Sequence, residues 1–66
     1  MQIRVNGELR ELNEGGTVAE LLQLLGMSER RVAVEVNREI IPRSLHPRHT
    51  LQAGDRVELV HAIGGG

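Results

Sequence analysis

The stretch TVAELLQLLG, residues 17–26, places the tightest constraint on what this chain can fold into. Thr17 followed three residues later by Glu20 makes a capping box, and Val18, Leu21, Leu22 and Leu25 recur at helical spacing. Gly26 supplies the left-handed residue that ends the helix. A helix of about two and a half turns is not stable alone in water, so its apolar stripe must be buried against another element. On both sides of it the apolar residues recur with period two, which makes that element a sheet.

Residues 2–12, QIRVNGELREL, form two alternating runs around Asn6-Gly7, a pair suited to a two-residue hairpin turn because both turn positions need φ > 0. Ile3, Val5, Leu9 and Leu12 are expected to face the core. Asn13 to Gly16, NEGG, breaks the pattern as a loop. Beyond the helix, residues 27–31 (MSERR) are a polar connector. Val32, Val34 and Val36 then alternate with Ala33, Glu35 and Asn37 as a half-buried strand. Asn37-Arg38 turns the chain into Glu39-Ile40-Ile41, an edge strand at most because Pro42 has no N–H to donate. Residues 43–54, RSLHPRHTLQAG, read as a loop with a turn of helix, anchored by Leu51. Asp55 leads into RVELVHA, where Val57 and Leu59 take one face and Glu58 and Val60 the other.

The order is strand, strand, helix, strand, short strand, strand, with no repeat and no domain boundary. A crossover helix covers one face of the sheet, and the last strand must find a place within it. Inserting that strand between the first and third strands, parallel to the first, gives an α+β β-grasp: a mixed four- to five-stranded sheet packed on one main helix. A central last strand also fixes where residues 64–66, three glycines, leave the domain.

Composition excludes several function classes. A chain of 66 residues forms one small domain that buries only about 60% of its unfolded surface. There is no cysteine, hence no disulfide staple, thiolate metal ligand or side-chain sulfur chemistry. Eight cations, all arginine, are interspersed with nine acids, and no aromatic residue is present. Basic stripes and stacking platforms for nucleic acid are therefore missing. Without lysine, the only amine on the chain is that of Met1. No run approaches the ~20 apolar residues of a membrane span and MQIRVNGE is no secretory leader, so a cytoplasmic protein is expected.

The stretches MQIRVNGELREL, TVAELLQLLG, VAVEVNREIIPRS and LQAGDRVELVHAIGGG together resemble the ThiS-type sulfur carriers of thiamin biosynthesis, which are ubiquitin-like proteins. The resemblance covers essentially the whole chain. It implies a domain over residues 1–63 and a flexible glycine tail over 64–66. It also implies that the Gly66 carboxylate is joined to AMP by a ThiF-like adenylyltransferase that uses ATP. A persulfide sulfur donor would then convert it to a thiocarboxylate, which delivers sulfur to a ThiG-like thiazole synthase. Such a chain is a protein co-substrate with no bound cofactor, not an enzyme. The family has Asn-Gly where this chain has Asn37-Arg38. Since arginine is strained at φ > 0, a turn of different type or length is expected there.

Gly64 and Gly65 suit a tail that threads a partner's active site, because a Cβ would narrow the channel and restrict φ and ψ. Ordering the tail costs about 1–2 kcal/mol per residue, so affinity must come from the folded domain. Val60, Ala62 and Ile63 are the expected docking residues; the competing reading of Val60 is that a loop of its own domain covers it. His46, His49 and His61 lack metal-ligand spacing and read as solvated. Asp55 after Gly54 reads as a turn device, and Glu8, Glu11 and Glu14 as a solvated acidic face. Two other readings stay open: a carrier for molybdopterin synthesis or tRNA thiolation, and a β-grasp interaction module with inert glycines.

Overall fold

The computed structural model describes residues 1–28 and 31–61. The expected docking residues Ala62 and Ile63 and the expected tail Gly64, Gly65 and Gly66 lie outside the described residues. Five strands and one α-helix follow the expected order: β1 Gln2–Val5, β2 Glu8–Glu11, α1 Val18–Leu24, β3 Val32–Val36, β4 Glu39–Ile41 and β5 Arg56–His61, with a 3₁₀ turn at Arg43–Leu45. They form one mixed sheet in the order β2-β1-β5-β3-β4. β5 runs parallel to β1 and antiparallel to β3, which places the last strand at the centre.

The helix is fixed at both ends by the residues the sequence marks. The Thr17 side chain accepts from the Glu20 N–H at 3.2 Å, and Glu20 Oε1 accepts from the Thr17 N–H at 3.3 Å. The two N–H groups between them are satisfied by the loop after β4: Val18 donates to the His49 carbonyl and Ala19 to the His46 carbonyl, both at 3.0 Å. All four orphan donors of the first turn thus have partners. At the other end Gly26 takes φ 73°, Gly26 N–H donates to Gln23 O, and Met27 N–H donates to Leu22 O at 2.7 Å. That bond pattern is a Schellman cap.

Val18, Leu21 and Leu22 of the helix pack on Ile3, Val5, Val34, Val36, Ile41, Val57 and Leu59 of the sheet, with Leu12 and Leu51 completing the buried cluster. Gly16 lets the chain enter this layer closely. A Cβ there would stand 2.7 Å from Leu12 Cγ and 3.0 Å from the Asn13 carbonyl oxygen.

Three expectations are corrected. Leu9 is exposed, not in the core. The two-residue turn Asn6-Gly7 pairs Val5 with Glu8, and therefore Arg4 with Leu9, so Leu9 shares the outer face with Arg4. His46 is buried instead of solvated, with Nε2 donating to the Ile41 carbonyl at 3.0 Å. A loop whose carbonyls cap a helix must itself be held, and this bond holds it; His49 is half-buried and His61 exposed. Arg38, finally, does not change the turn. Val36 pairs with Glu39 across two residues, and Asn37 and Arg38 adopt φ 51° and 72°. The arginine accepts the left-handed region, at a cost of about 1–2 kcal/mol relative to an unstrained backbone.

Candidate functional site

Of the expected docking and tail residues only Val60 is described, and it stands near the end of β5. On its β3 side this strand is paired from Val36–Val57 to Val32–His61. On its β1 side backbone pairing stops at Val5–Val57. The side chain of Asn6, in the hairpin turn, continues the ladder from there: its Oδ1 accepts from the Leu59 N–H at 2.8 Å and its Nδ2 donates to the Leu59 carbonyl at 3.4 Å. An amide side chain carries the same donor and acceptor as a peptide unit, and here it stands in for one. The start of β5 has a matching fastening. Asn37 Oδ1 accepts from the Arg56 N–H at 3.0 Å, and Asn37 Nδ2 donates to Asp55 Oδ1 at 3.0 Å. Asp55 Oδ2 accepts from the Gln52 N–H at 2.8 Å and Gly54 takes φ 86°, so the Gly-Asp pair is the turn device its sequence suggested.

Val60 lies beyond both fastenings, on the sheet face opposite the helix. It is 55% exposed, and among the described residues no loop covers it. Its cross-strand neighbour is the exposed Ala33. The rest of that face is charged and apolar by turns: Arg4 opposite Arg56, Glu35 opposite Glu58, with Leu9 and Ile40 outward on the flanking strands. A depression of about 240 Å³ lies between Arg4, Gly7, Arg56 and Glu58.

A larger concavity, of about 500 Å³, lies elsewhere, at the end of β2 beside the helix, and is lined by Met1, Glu11, Glu14 and Glu20 among others. There the Met1 ammonium donates to the Leu12 carbonyl at 2.7 Å and to Glu11 Oε2 at 3.2 Å, with Glu14 Oε2 at 3.5 Å. The hydrogen bond it donates to Glu11 and the charges of Glu11 and Glu14 raise its pKa above the ordinary value. Two of the three acids read as a dispersed face thus converge on one cation. Among the described residues no three His, Cys, Asp or Glu side chains gather as a metal would require. No helix among them is long and apolar enough to cross a membrane.

Sequence reasoning placed Val60 on the outer face but missed Asn6 and Asn37 as clamps on β5. Both asparagines were visible as turn residues; that their side chains point back to the central strand depends on strand order.

Comparison with known proteins supplies the rest. The chain is 44% identical over 66 residues to a thiazole synthase of Paramagnetospirillum magneticum, of which it spans only 20%. A thiazole synthase of Magnetococcus marinus is 41% identical, and the chain again spans a fifth of it. It is 36% identical to the sulfur carrier protein ThiS of Escherichia coli, covering 100% of both chains. The crystal structure of ThiS from Geobacter metallireducens superposes with a TM-score of 0.86 at 35% identity, again over 100% of both chains. The fold is accordingly the ubiquitin-like β-grasp, and since the ThiS family model also matches residues 3–66, the chain belongs to the ThiS family.

Proposed function

We propose that the chain carries sulfur for assembly of the thiazole moiety of thiamin, as a thiocarboxylate on Gly66. The observation that supports this most is the family match reaching residue 66, which includes the three glycines, in a chain without cysteine. Sulfur cannot ride on a side-chain thiol here, and a thiocarboxylate on the Gly66 carbonyl carbon reconciles a sulfur role with that absence. A carboxylate is a poor electrophile because oxide is a poor leaving group. Adenylation by a ThiF-like partner replaces that leaving group with AMP and releases pyrophosphate from ATP. The terminal sulfur of a persulfide then attacks the carbonyl carbon and expels AMP. Cleavage of the resulting S–S bond by a thiol leaves the thiocarboxylate on Gly66 and a disulfide on the donor side. The thiocarboxylate is anionic and nucleophilic at neutral pH, which suits delivery to thiazole synthase. Two relatives bearing that name contain a segment similar to this whole chain, which supports a thiazole synthase as the recipient.

In this reading the described part of the molecule is scaffold and docking surface. β5 aims the tail, Asn6 holds Leu59 where the β1 ladder has ended, and Val60 with Ala62 and Ile63 meets the partner enzymes. Gly64 and Gly65 thread the active site, and the chain is a co-substrate. Intact-protein mass spectrometry after incubation with ATP, the adenylyltransferase and a sulfur source tests the proposal. Exchange of one oxygen for sulfur, mapped to Gly66, is expected; an unchanged mass favours an interaction module with inert glycines. Deletion of Gly66 is expected to abolish thiazole formation in cells, and its survival would refute the carrier reading.

A further inference from the structure

The outer sheet face sets like charges directly opposite one another, twice. Arg4 pairs with Arg56 across β1 and β5, and Glu35 pairs with Glu58 across β5 and β3. Like charges in directly opposed positions destabilise a sheet. Among the described residues neither arginine has a carboxylate oxygen within 4.0 Å, the only such ion pairs being those of the Met1 ammonium. Arg4 instead donates to the Gly7 carbonyl at 3.4 Å. The two pairs adjoin, since Arg56 and Glu58 are both outward residues of β5; Arg4, Arg56 and Glu58 are exposed and Glu35 half-buried, and among the described residues no element covers the face they share.

We infer that this face is self-complementary and that two copies of the chain associate through it as a two-fold dimer. Take strands about 4.8 Å apart and a rise of about 3.3 Å per residue; the centres of the Arg and Glu pairs are then on the order of 8 Å apart. A two-fold axis in the interface plane, midway between those centres and perpendicular to the line joining them, seats each Arg pair on the Glu pair of the second copy. On the same lattice this operation carries Leu9 to within about 1 Å of the place of Val60 in the second copy. Nothing in the choice of axis required that. Leu9 is 57% exposed and Val60 55% exposed, so the operation pairs two open apolar side chains on either side of the charges. The strands of the two copies cross at roughly 70°, towards the orthogonal class of sheet packing. Each contact occurs twice, as an isologous interface demands.

The patch is small and charged, so the dimer is weak and salt-sensitive. The pairing stands on the charge register and the Leu9–Val60 correspondence, independently of the carrier reading. Its consequence rests on the carrier reading: a dimer that covers Val60 withholds the docking surface, so self-association and enzyme docking exclude each other.

A dilution series followed by ¹H–¹⁵N NMR on the full wild-type chain tests the pairing. Concentration-dependent shifts are expected at Arg4, Leu9, Glu35, Arg56, Glu58 and Val60 and not along the helix. Association is expected to weaken by about tenfold or more between ~0.05 and ~0.5 M NaCl. The neutralised variants R4Q/R56Q and E35Q/E58Q, chosen because they remove repulsion within the fold, are each expected to lose self-association. The reversed pair R4E/R56E and E35R/E58R is expected to associate only when mixed. Absence of shifts up to millimolar concentration, shifts confined to the helix, or self-association of the neutralised variants at wild-type strength would overturn the dimer. None of these results touches the sulfur chemistry, which the mass measurement on Gly66 decides separately.

Discussion

The two faces of the sheet obey different rules although the same five strands build both. Towards the helix the side chains are Ile3, Val5, Val34, Val36, Ile41, Val57 and Leu59, all buried and matched to one another. Away from it stand Arg4, Leu9, Glu35, Ile40, Arg56, Glu58 and Val60, which include two like-charge pairs and three large apolar side chains more than half exposed. One face is consistent with every requirement of folding, whereas the other violates cross-strand charge pairing at no visible gain to the domain. Local conflicts of this kind are expected where a surface serves something other than the fold.

The largest test of that contrast lies in the helix. Leu21 is fully buried, and Leu21→Ala is expected to lower stability by about 2–5 kcal/mol through lost apolar transfer and the cavity left behind. Chemical denaturation checks it. In a domain of this size such a loss approaches the whole stability, so partial unfolding at room temperature is an acceptable outcome. A smaller effect is expected at the boundary between the faces. Asn6→Gly preserves φ near 50° in the turn but removes the two side-chain bonds to Leu59. A cost of about 1 kcal/mol is expected. Amide exchange should accelerate at Leu59 more than at Val57, whose β1 pairing remains; uniform acceleration would show that Asn6 supports the whole domain and not the end of β5.

How much of this was legible in the sequence depends on how local each signal is. The helix, both caps, the hairpin at Asn6-Gly7 and the central position of β5 follow from short-range patterning and connection rules. Leu9 was misplaced because the apolar residue was weighed above parity. The two-residue turn fixes Leu9 opposite Arg4, and register outranks hydrophobicity at an edge strand. His46 was misplaced because its burial depends on a loop reaching across to the first turn of the helix, a contact with no sequence period. At Arg38 the hairpin geometry prevailed over the preference of the residue, with Asn37 pinned to Arg56 and Asp55 on one side. The outer face was only half legible. The outward position of Val60 follows from alternation, but the opposition of Glu35 to Glu58 and of Arg4 to Arg56 requires the strand order.

If the outer face is shaped for association, relieving its internal repulsion should stabilise the fold. Glu58→Arg converts a like-charge pair with Glu35 into an opposite-charge pair, and a gain of about 0.5 kcal/mol is expected in low salt. The new arginine also lies two residues from Arg56 on the same strand, which trims the gain. Thermal melting at low and high salt measures it. The prediction is sharp in sign: loss of stability would mean that Glu58 already balances the arginines, and the contrast between the faces would weaken. The same substitution should abolish self-association, so stability and association are expected to move in opposite directions.

The smallest effect on folding is expected at Val60, and it separates the two faces most cleanly. Val60→Ser removes apolar surface that is already more than half in water, so stability should change by less than about 0.5 kcal/mol. A β-branched residue is kept off the core face by the alternation of β5, and its neighbour Ala33 is exposed as well, so no cavity opens. On the proposed carrier reading, the KM for this chain in adenylation by a ThiF-like enzyme should rise by about tenfold, as expected from losing roughly 1–1.5 kcal/mol of apolar contact, with kcat unchanged. A fall in kcat at constant KM would instead place Val60 in aiming the tail. Unfolding by more than about 1 kcal/mol would assign it to the core after all. No change in either quantity would leave the exposed valine without a docking role, and the carrier would then have to meet its enzyme through residues nearer Gly66.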